Sequence, residues 1–235
     1  MTATGTKNTA LVTGGSKGFG RALAAELGRQ GWAVVIDGRD AEPLYRTAQE
    51  IAAIPVAGDI TDPEHRALLV ATAREAGSRL DLLVNNASTL GVSPLPGLLQ
   101  YPLADLRAVF ETNVLAPLAL TQLAWPLLAE SGGAVLNVTS DAAVEAYDGW
   151  GGYGSSKAAL EQWGHVLAVE QPGTRVWSFD PGDMRTEMHQ AAFPGQDISD
   201  RPEPASVVPA VLVLIQERPP SGRVKATDLL PAGAA

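Results

Sequence analysis

Two hydrophobic periods alternate along the chain. Short runs of contiguous apolar residues, many of them β-branched, are separated by longer stretches whose apolar positions recur every three or four residues. The short runs are Ala10–Thr13 (ALVT), Ala33–Ile36 (AVVI), Ile54–Ala57, Leu80–Val84 (LDLLV), Ala134–Thr139 (AVLNVT), Arg175–Phe179 (RVWSF) and a weaker Arg223–Ala226. The longer stretches are Gly18–Arg29, Ala41–Ala52, Pro63–Ala76, Leu103–Leu128, Tyr153–Val169 and Ser206–Gln216. The third of these opens on proline, a favoured first helical residue. Strands that are apolar throughout predict a sheet covered on both faces. Strict alternation of strand and helix predicts an α/β fold: a doubly wound parallel sheet of about seven strands with helices on both faces. No linker or repeat divides the chain, so residues 1–235 read as a single domain. The Pro/Gly-rich piece Phe193–Pro204 falls between elements and reads as a mobile loop.

Composition narrows the function classes. The 235 residues are 46% apolar and 18% charged, with a formal charge of −9. That balance argues against nucleic acid and anionic membranes as partners. There is no cysteine, which excludes disulfides and thiolate zinc sites. The three histidines, His65, His165 and His189, are far apart, so no metal is expected. The start, MTATGTKNTA, lacks the apolar core of a signal peptide. The most apolar stretch, Val114 to Ala129, is interrupted by Pro117, Gln122 and Pro126 and is short for a bilayer span. The expectation is a cytoplasmic protein with a small-molecule substrate.

The stretch LVTGGSKGFGRAL, residues 11–23, carries two patterns at once. Gly14-Gly15-Ser16-Lys17-Gly18 matches G-x-S-x-G, the turn that presents a nucleophilic serine in some hydrolases. Thr13 through Gly20 also matches a glycine-rich turn that could hold a phosphate. Position separates the two. The hydrolase turn needs an oxyanion-hole loop earlier in the chain, and only one strand precedes Thr13. A Walker A loop fails because no Gly-Lys-Ser/Thr triplet follows at the required spacing. A phosphate turn fits its setting: it follows the first strand and opens a helix, whose N–H groups and positive dipole end favour an anion.

The other motifs carry a resemblance. Thr13-Gly14-x-x-x-Gly18-x-Gly20, Asp59-Ile60, Asn85-Asn86-Ala87, Asn113, Ser140, Tyr153-x-x-x-Lys157 and Pro181-Gly182 occur in the order seen in classical short-chain dehydrogenases/reductases. The chain resembles that family from about residue 8 to about residue 188. The resemblance implies a Rossmann-type fold and hydride transfer between a nicotinamide cofactor and a carbonyl or secondary alcohol. Gly14, Ser16, Lys17, Gly18, Phe19 and Gly20 would cradle the cofactor phosphates. Asp59 and Ile60 would flank the adenine, and Asn86 and Ala87 would line the cofactor. Pro181, Gly182 and Thr186 would cover the nicotinamide. Ser88 stands where the family usually has glycine, and the family's common C-terminal VDGG is missing from the end RVKATDLLPAGAA.

Chemistry follows from residue types. Tyr153 and Lys157 lie four apart on a predicted helix and so share a face. A phenol is a poor acid or base at neutral pH, and a neighbouring ammonium stabilises the phenolate and lowers its pKa. Tyr153 is therefore the candidate proton donor or acceptor, and Lys157 its tuner. Ser140, at the end of a strand, would orient the substrate oxygen, with Thr139 as a neighbouring candidate. Asn113, in a mid-helix position unfavourable for Asn, would hold a bend and a proton relay, as the resemblance implies. Cofactor choice is read from VVIDGRD. The family's NAD-selecting acid aligns with Gly38; Arg39 follows, and Lys17 lies in the loop, so NADP(H) is favoured. Asp37, one position earlier, keeps NAD(H) open.

Substrate contacts are expected from residues 141–152 and 184–204, which offer Tyr147, Trp150, Met184, Met188, His189 and Phe193. These suggest an apolar or aromatic carbonyl compound. The resulting expectation is an NADP(H)-dependent carbonyl reductase or alcohol dehydrogenase. The alternative is a catalytically silent dinucleotide-binding or regulatory protein of the same fold. By resemblance, a homodimer or homotetramer would form through Leu103–Leu128 and Tyr153–Val169.

Overall fold

The structure is a computed structural model that describes residues 7–230. The chain's first six and last five residues, which the single-domain reading and the readings of both termini include, lie outside the described residues. Among the described residues, seven parallel strands form one sheet in the order β3-β2-β1-β4-β5-β6-β7. They are β1 (Thr9–Val12), β2 (Ala33–Gly38), β3 (Ile54–Ala57), β4 (Leu82–Asn85), β5 (Ala134–Val138), β6 (Arg175–Asp180) and β7 (Gly222–Lys225). The helices are α1 (Gly18–Arg29), α2 (Ala41–Ile51), α3 (Pro63–Gly77), α4 (Leu103–Phe110), α5 (Ala116–Ser131), α6 (Gly151–Glu170), α7 (Glu187–Ala192), α8 (Val208–Glu217) and α9 (Ala226–Leu229).

Continuous apolar strands serve two cores because successive side chains point to opposite faces. Ala10, Val12, Val34, Ile36, Leu136 and Phe179 pack on one side with Leu23 and Leu27 of α1, Leu44 of α2 and Val211 and Leu214 of α8. Leu11, Val35, Leu83, Val135 and Val176 pack on the other with Leu69 and Ala73 of α3 and Leu120 and Ala124 of α5. The first three strands run outward one way from β1 and the remainder the other way. The order therefore reverses between β1 and β4, and a cleft opens at the carboxyl ends of these strands, where ligands of such sheets bind.

Three segments depart from the hydrophobic pattern, the smallest being α9, a four-residue helix that begins at Ala226, where the last predicted strand ends. The predicted single helix Leu103–Leu128 is α4 and α5 joined by a π-helical turn, Glu111–Leu115. Pro117 supplies the cause: it has no N–H to donate one turn back, toward Asn113, so the regular ladder cannot continue there. The Ala116 N–H instead reaches the Glu111 carbonyl. The whole run Leu103–Ser131 spans 29 residues with mean hydropathy 1.2 in its most apolar window, long and apolar enough to cross a membrane, which the Val114–Ala129 reading missed. Half of that window is buried, against α3 and the sheet, as in a core helix. The second departure is α7, a short helix in a stretch for which no element is predicted. Thr186 starts it, its hydroxyl accepting from the His189 N–H at 3.1 Å.

Candidate active site

Thr13 ties the first loop to the neighbouring strand. Its N–H and hydroxyl both donate to the Val84 carbonyl, and its hydroxyl oxygen accepts from the N–H groups of Asn86 and Ala87, each at 3.0 Å. The Asn86 side chain returns the contact, donating to the Thr13 carbonyl at 2.8 Å and the Gly14 carbonyl at 3.2 Å. Gly14 has φ +64°, and a Cβ there would lie 3.0 Å from the Ala87 Cα. At Gly20 a Cβ would lie 2.5 Å from both the Gly14 carbonyl oxygen and the Asn86 amide. These two positions therefore need glycine so that loop, helix and β4 can meet. No side chain caps the start of α1, so its first-turn N–H groups remain available.

The turn opens into a cavity of about 1040 Å³. Gly14, Ser16, Lys17, Gly18 and Phe19 line one end, with Arg39, Asp59 and Ile60 beside them. Asn86 and Ala87 line the middle, and Ser140, Tyr153 and Lys157 the far wall, with Pro181, Gly182 and Thr186 above. Gly20 and Asn113 do not line it; they act from behind. Uncapped N–H donors, close glycine backbone and adjacent cations fit a dinucleotide phosphate group. The Ser16 hydroxyl faces Gly38 instead of a base, where a Cβ would lie 3.0 Å away.

Asp37 borders the cavity, but both oxygens of its carboxylate are already engaged. It is buried, and its Oδ1 accepts from the Gly14 N–H at 2.5 Å while Oδ2 lies 3.2 Å from His65 Nε2. Arg39 is exposed at the cavity edge. Lys17 pairs with Glu187 of α7 at 2.5 Å, both side chains largely in solvent. The Asp59 carboxyl is held below its usual range, first by the Thr61 N–H, with Thr61's hydroxyl, Arg39 and His65 adding to the effect against burial.

At the far wall, Ser140 follows β5 in an extended conformation. Its hydroxyl donates to Asp141 Oδ1 at 2.9 Å and accepts from the Ala142 N–H at 3.2 Å. Tyr153 and Lys157 share a face of α6, and the Lys157 ammonium lies 5.4 Å from the Tyr153 ring centre. The ammonium donates to the Val138 carbonyl at 2.8 Å. The Ser88 and Ser140 hydroxyls, which donate to Asn113 and Asp141, also favour the ionised form of the Tyr153 phenol. Burial pushes the phenol up, Asp180 and Asp141 push the same way, and the two serine hydroxyls oppose them. Burial pushes Lys157 down to about 7, against the pull of Glu161. The expectation that the ammonium lowers the phenol is thus outweighed by desolvation in the protein alone.

Asn113 is buried in the π turn and fully used. Its Oδ1 accepts from the Thr89 N–H at 2.9 Å and the Ser88 hydroxyl at 3.1 Å; its Nδ2 donates to the Thr89 carbonyl at 2.9 Å and Ser156 at 3.0 Å. It locks the segment after β4 to α6. Thr139, the other candidate beside Ser140, turns away and donates to Glu161 at 2.6 Å.

An apolar wall faces these groups. Trp150 meets the Tyr153 ring edge-on at 5.7 Å and Phe193 at 6.0 Å, and Met188 and Leu90 complete it. Beside it is a polar corner, where the Tyr147 hydroxyl lies 2.9 Å from both Asp141 and Glu145. Sequence reading missed α7 and a charged group against the far wall: Glu161, Asp180 and Arg223. The available signals were an acid closing the apolar strand RVWSFD and an acid one helical turn beyond Lys157.

A family model described as short chain dehydrogenase matches residues 8–197. Serine 3-dehydrogenase from Rhizobium radiobacter is 37% identical over 198 residues, covering 82% of this chain and 78% of that protein. Sepiapterin reductase from Mus musculus is 33% identical over 199 residues, covering 77% of this chain and 76% of its own. A short chain dehydrogenase from Shigella flexneri 2A str. 301, complexed with NADP, superposes with a TM-score of 0.87 at 31% identity, covering 94% of this chain and 97% of that one.

Proposed function

The chain belongs to the short chain dehydrogenase family, and from that premise we propose that it is an NADP(H)-dependent reductase of an apolar or aromatic ketone, or dehydrogenase of the corresponding secondary alcohol. The observation that carries this reading is the convergence of Ser140, Tyr153 and Lys157 on one wall of the cavity that the glycine turn also lines. The cofactor supplies or accepts the hydride. Tyr153 holds the proton that the substrate oxygen gains or loses. Ser140, turning from Asp141, donates to that oxygen and fixes its direction. Lys157 brings positive charge to the phenolate side, and Asn113 anchors the segment between β4 and α6 against which these groups are set.

NADP(H) is preferred over NAD(H) because the cations Arg39 and Lys17 line the cavity, where they would meet a ribose phosphate, while both oxygens of Asp37 already have partners. The complexed Shigella flexneri protein supports the same preference. Trp150, Met188, Phe193 and Leu90 would exclude water and favour an apolar substituent. Leu103, Leu115, Leu123, Val166 and Val169 are exposed on α4, the π turn, α5 and α6. They support a homodimer or homotetramer through these helices, which sedimentation velocity would read.

The test is a panel of ketones and secondary alcohols with NADPH or NADP⁺, followed at the nicotinamide absorbance. Tyr153→Phe is expected to lose about 10²–10⁴-fold in turnover while NADPH affinity stays near wild type. Near-normal turnover in that variant would sink the mechanism. Tight NADPH binding with no turnover of any compound would favour a silent binding protein instead.

A further inference from the structure

Against the wall formed by Ser140, Tyr153 and Lys157 lies a charged cluster that no step above uses: Asp180 borders the cavity, and Glu161 and Arg223 stand behind it. Arg223 projects from β7, with its side chain 18% exposed. Its Nη2 donates to Asp180 Oδ2 at 2.6 Å and to the Ser140 carbonyl at 3.2 Å. Its Nη1 donates to Glu161 Oε1, which also accepts from the Thr139 hydroxyl. The second oxygen of Asp180 accepts from the Gly182 N–H at 3.0 Å. One guanidinium therefore joins the end of β5, the end of β6 and α6.

We propose that Arg223 is a positioning residue for the reaction: it fixes the Ser140 end of β5 and, by cancelling Glu161 and Asp180, sets the charge that Lys157 and Tyr153 experience. This rests on the roles given to those residues above. Two cations, Arg223 and Lys157, stand against two buried carboxylates, Glu161 and Asp180. A buried ion cluster is seldom a better clasp than apolar packing of the same shape. What apolar packing cannot do is govern the charge beside a titrating amine. Lys157 sits at about 7 because burial lowers it while Glu161 raises it. The other acid acting on this wall is Asp141 after β5; Asp183, His189, Arg185, Glu187 and Lys17 line the same cavity.

The experiment is an NMR titration of the cofactor-free full chain labelled at the lysine Cε carbons. The lysines are Lys7, Lys17, Lys157 and Lys225, and Lys157→Met assigns the buried one. Removing a cation exposes the amine to uncompensated carboxylates, so Arg223→Met raises the Lys157 midpoint by about one pH unit. Adding Glu161→Gln to that variant brings the midpoint back by half or more. Turnover of Arg223→Met falls about ten-fold. A lower melting temperature with an unmoved Lys157 midpoint would mean a merely structural residue and overturn the proposal. If Arg223→Met does not fold, Glu161→Gln alone decides: it lowers the midpoint if the cluster sets the charge, and an unmoved midpoint refutes it. The titration needs no substrate, so failure of the oxidoreductase reading in the ketone panel is separable from failure here.

Discussion

Lys157→Met is expected to abolish turnover and yet stabilise the fold at neutral pH. The amine is buried, and its pKa falls from 10.5 to about 7. A depressed lysine means that the unfolded chain binds its proton more tightly than the folded one. Below about pH 7 both states are protonated and the folded state carries the full desolvation cost. Between about 7 and 10.5 the unfolded state holds more protons, so stability rises with pH. At pH 7 the shift is equivalent to about 4 kcal/mol. Methionine avoids that cost and keeps most of the stem, but it leaves the buried Val138 carbonyl without its donor, a loss of about 2 kcal/mol. The net gain is about 2 kcal/mol at pH 7, or about 6 °C in melting temperature for a chain of this size. At pH 9 the wild-type cost shrinks by about 2 kcal/mol, so the variant's advantage disappears. Urea unfolding of both proteins at pH 7 and pH 9, followed by circular dichroism, reads the difference. Titrations away from Tyr153 and the Glu161 cluster are common to the two proteins. A stability difference that stays constant between the two pH values would refute the reasoning, because then Lys157 does not change its protonation on unfolding in this range.

The double replacement of Lys17 and Arg39 by Gln should weaken NADPH about ten-fold or more and leave NADH nearly unchanged; fluorescence titration with each cofactor is the measurement, and equal losses would remove the basis for NADP preference. The Lys17–Glu187 pair offers little resistance to this use of Lys17, since pairs so exposed contribute almost nothing net. Gly20→Ala would bring a methyl to 2.5 Å from the Gly14 carbonyl oxygen and the Asn86 amide. It should lower the melting temperature and reduce NADPH affinity about ten-fold, and wild-type values for both would show that the loop and β4 are not held as tightly as these contacts require.

The strands were legible because burial on both faces removes polar residues from them altogether. Val34, Val35 and Ile36 serve alternating cores, and the run AVVI needs no other reading. Helices with a long apolar face were equally plain. What escaped notice was short or broken. α7 has six residues and no buried ones, so it carries no periodic signal. Its only mark is Thr186, which sequence reading had assigned to the cofactor; its hydroxyl is the helix cap as well as part of the cavity lining. The π turn was written in Pro117, but a proline near a helix start is usually a boundary mark and not a change of hydrogen-bond register.

The site divides in the same way. Motif residues carry their meaning within a few positions, because a strand end, a turn and the next helix are contiguous in the chain. Glycine spacing around Thr13 and the four-residue step from Tyr153 to Lys157 are of this kind. Charge pairing is not local: Arg223 meets Asp180 and Glu161 from 43 and 62 residues away. Nothing in GRVKATD says that its arginine reaches a serine carbonyl 83 residues earlier. Asp37 shows how narrow the margin is. By sequence it stands one position from the residue that would hold a ribose, and a shift of one would reverse the cofactor reading. A one-residue step along a strand turns a side chain to the opposite face. At 37 the carboxylate turns to the Gly14 N–H and His65, and the loop that would hold the phosphates is fastened by the group that one position later would have selected against one.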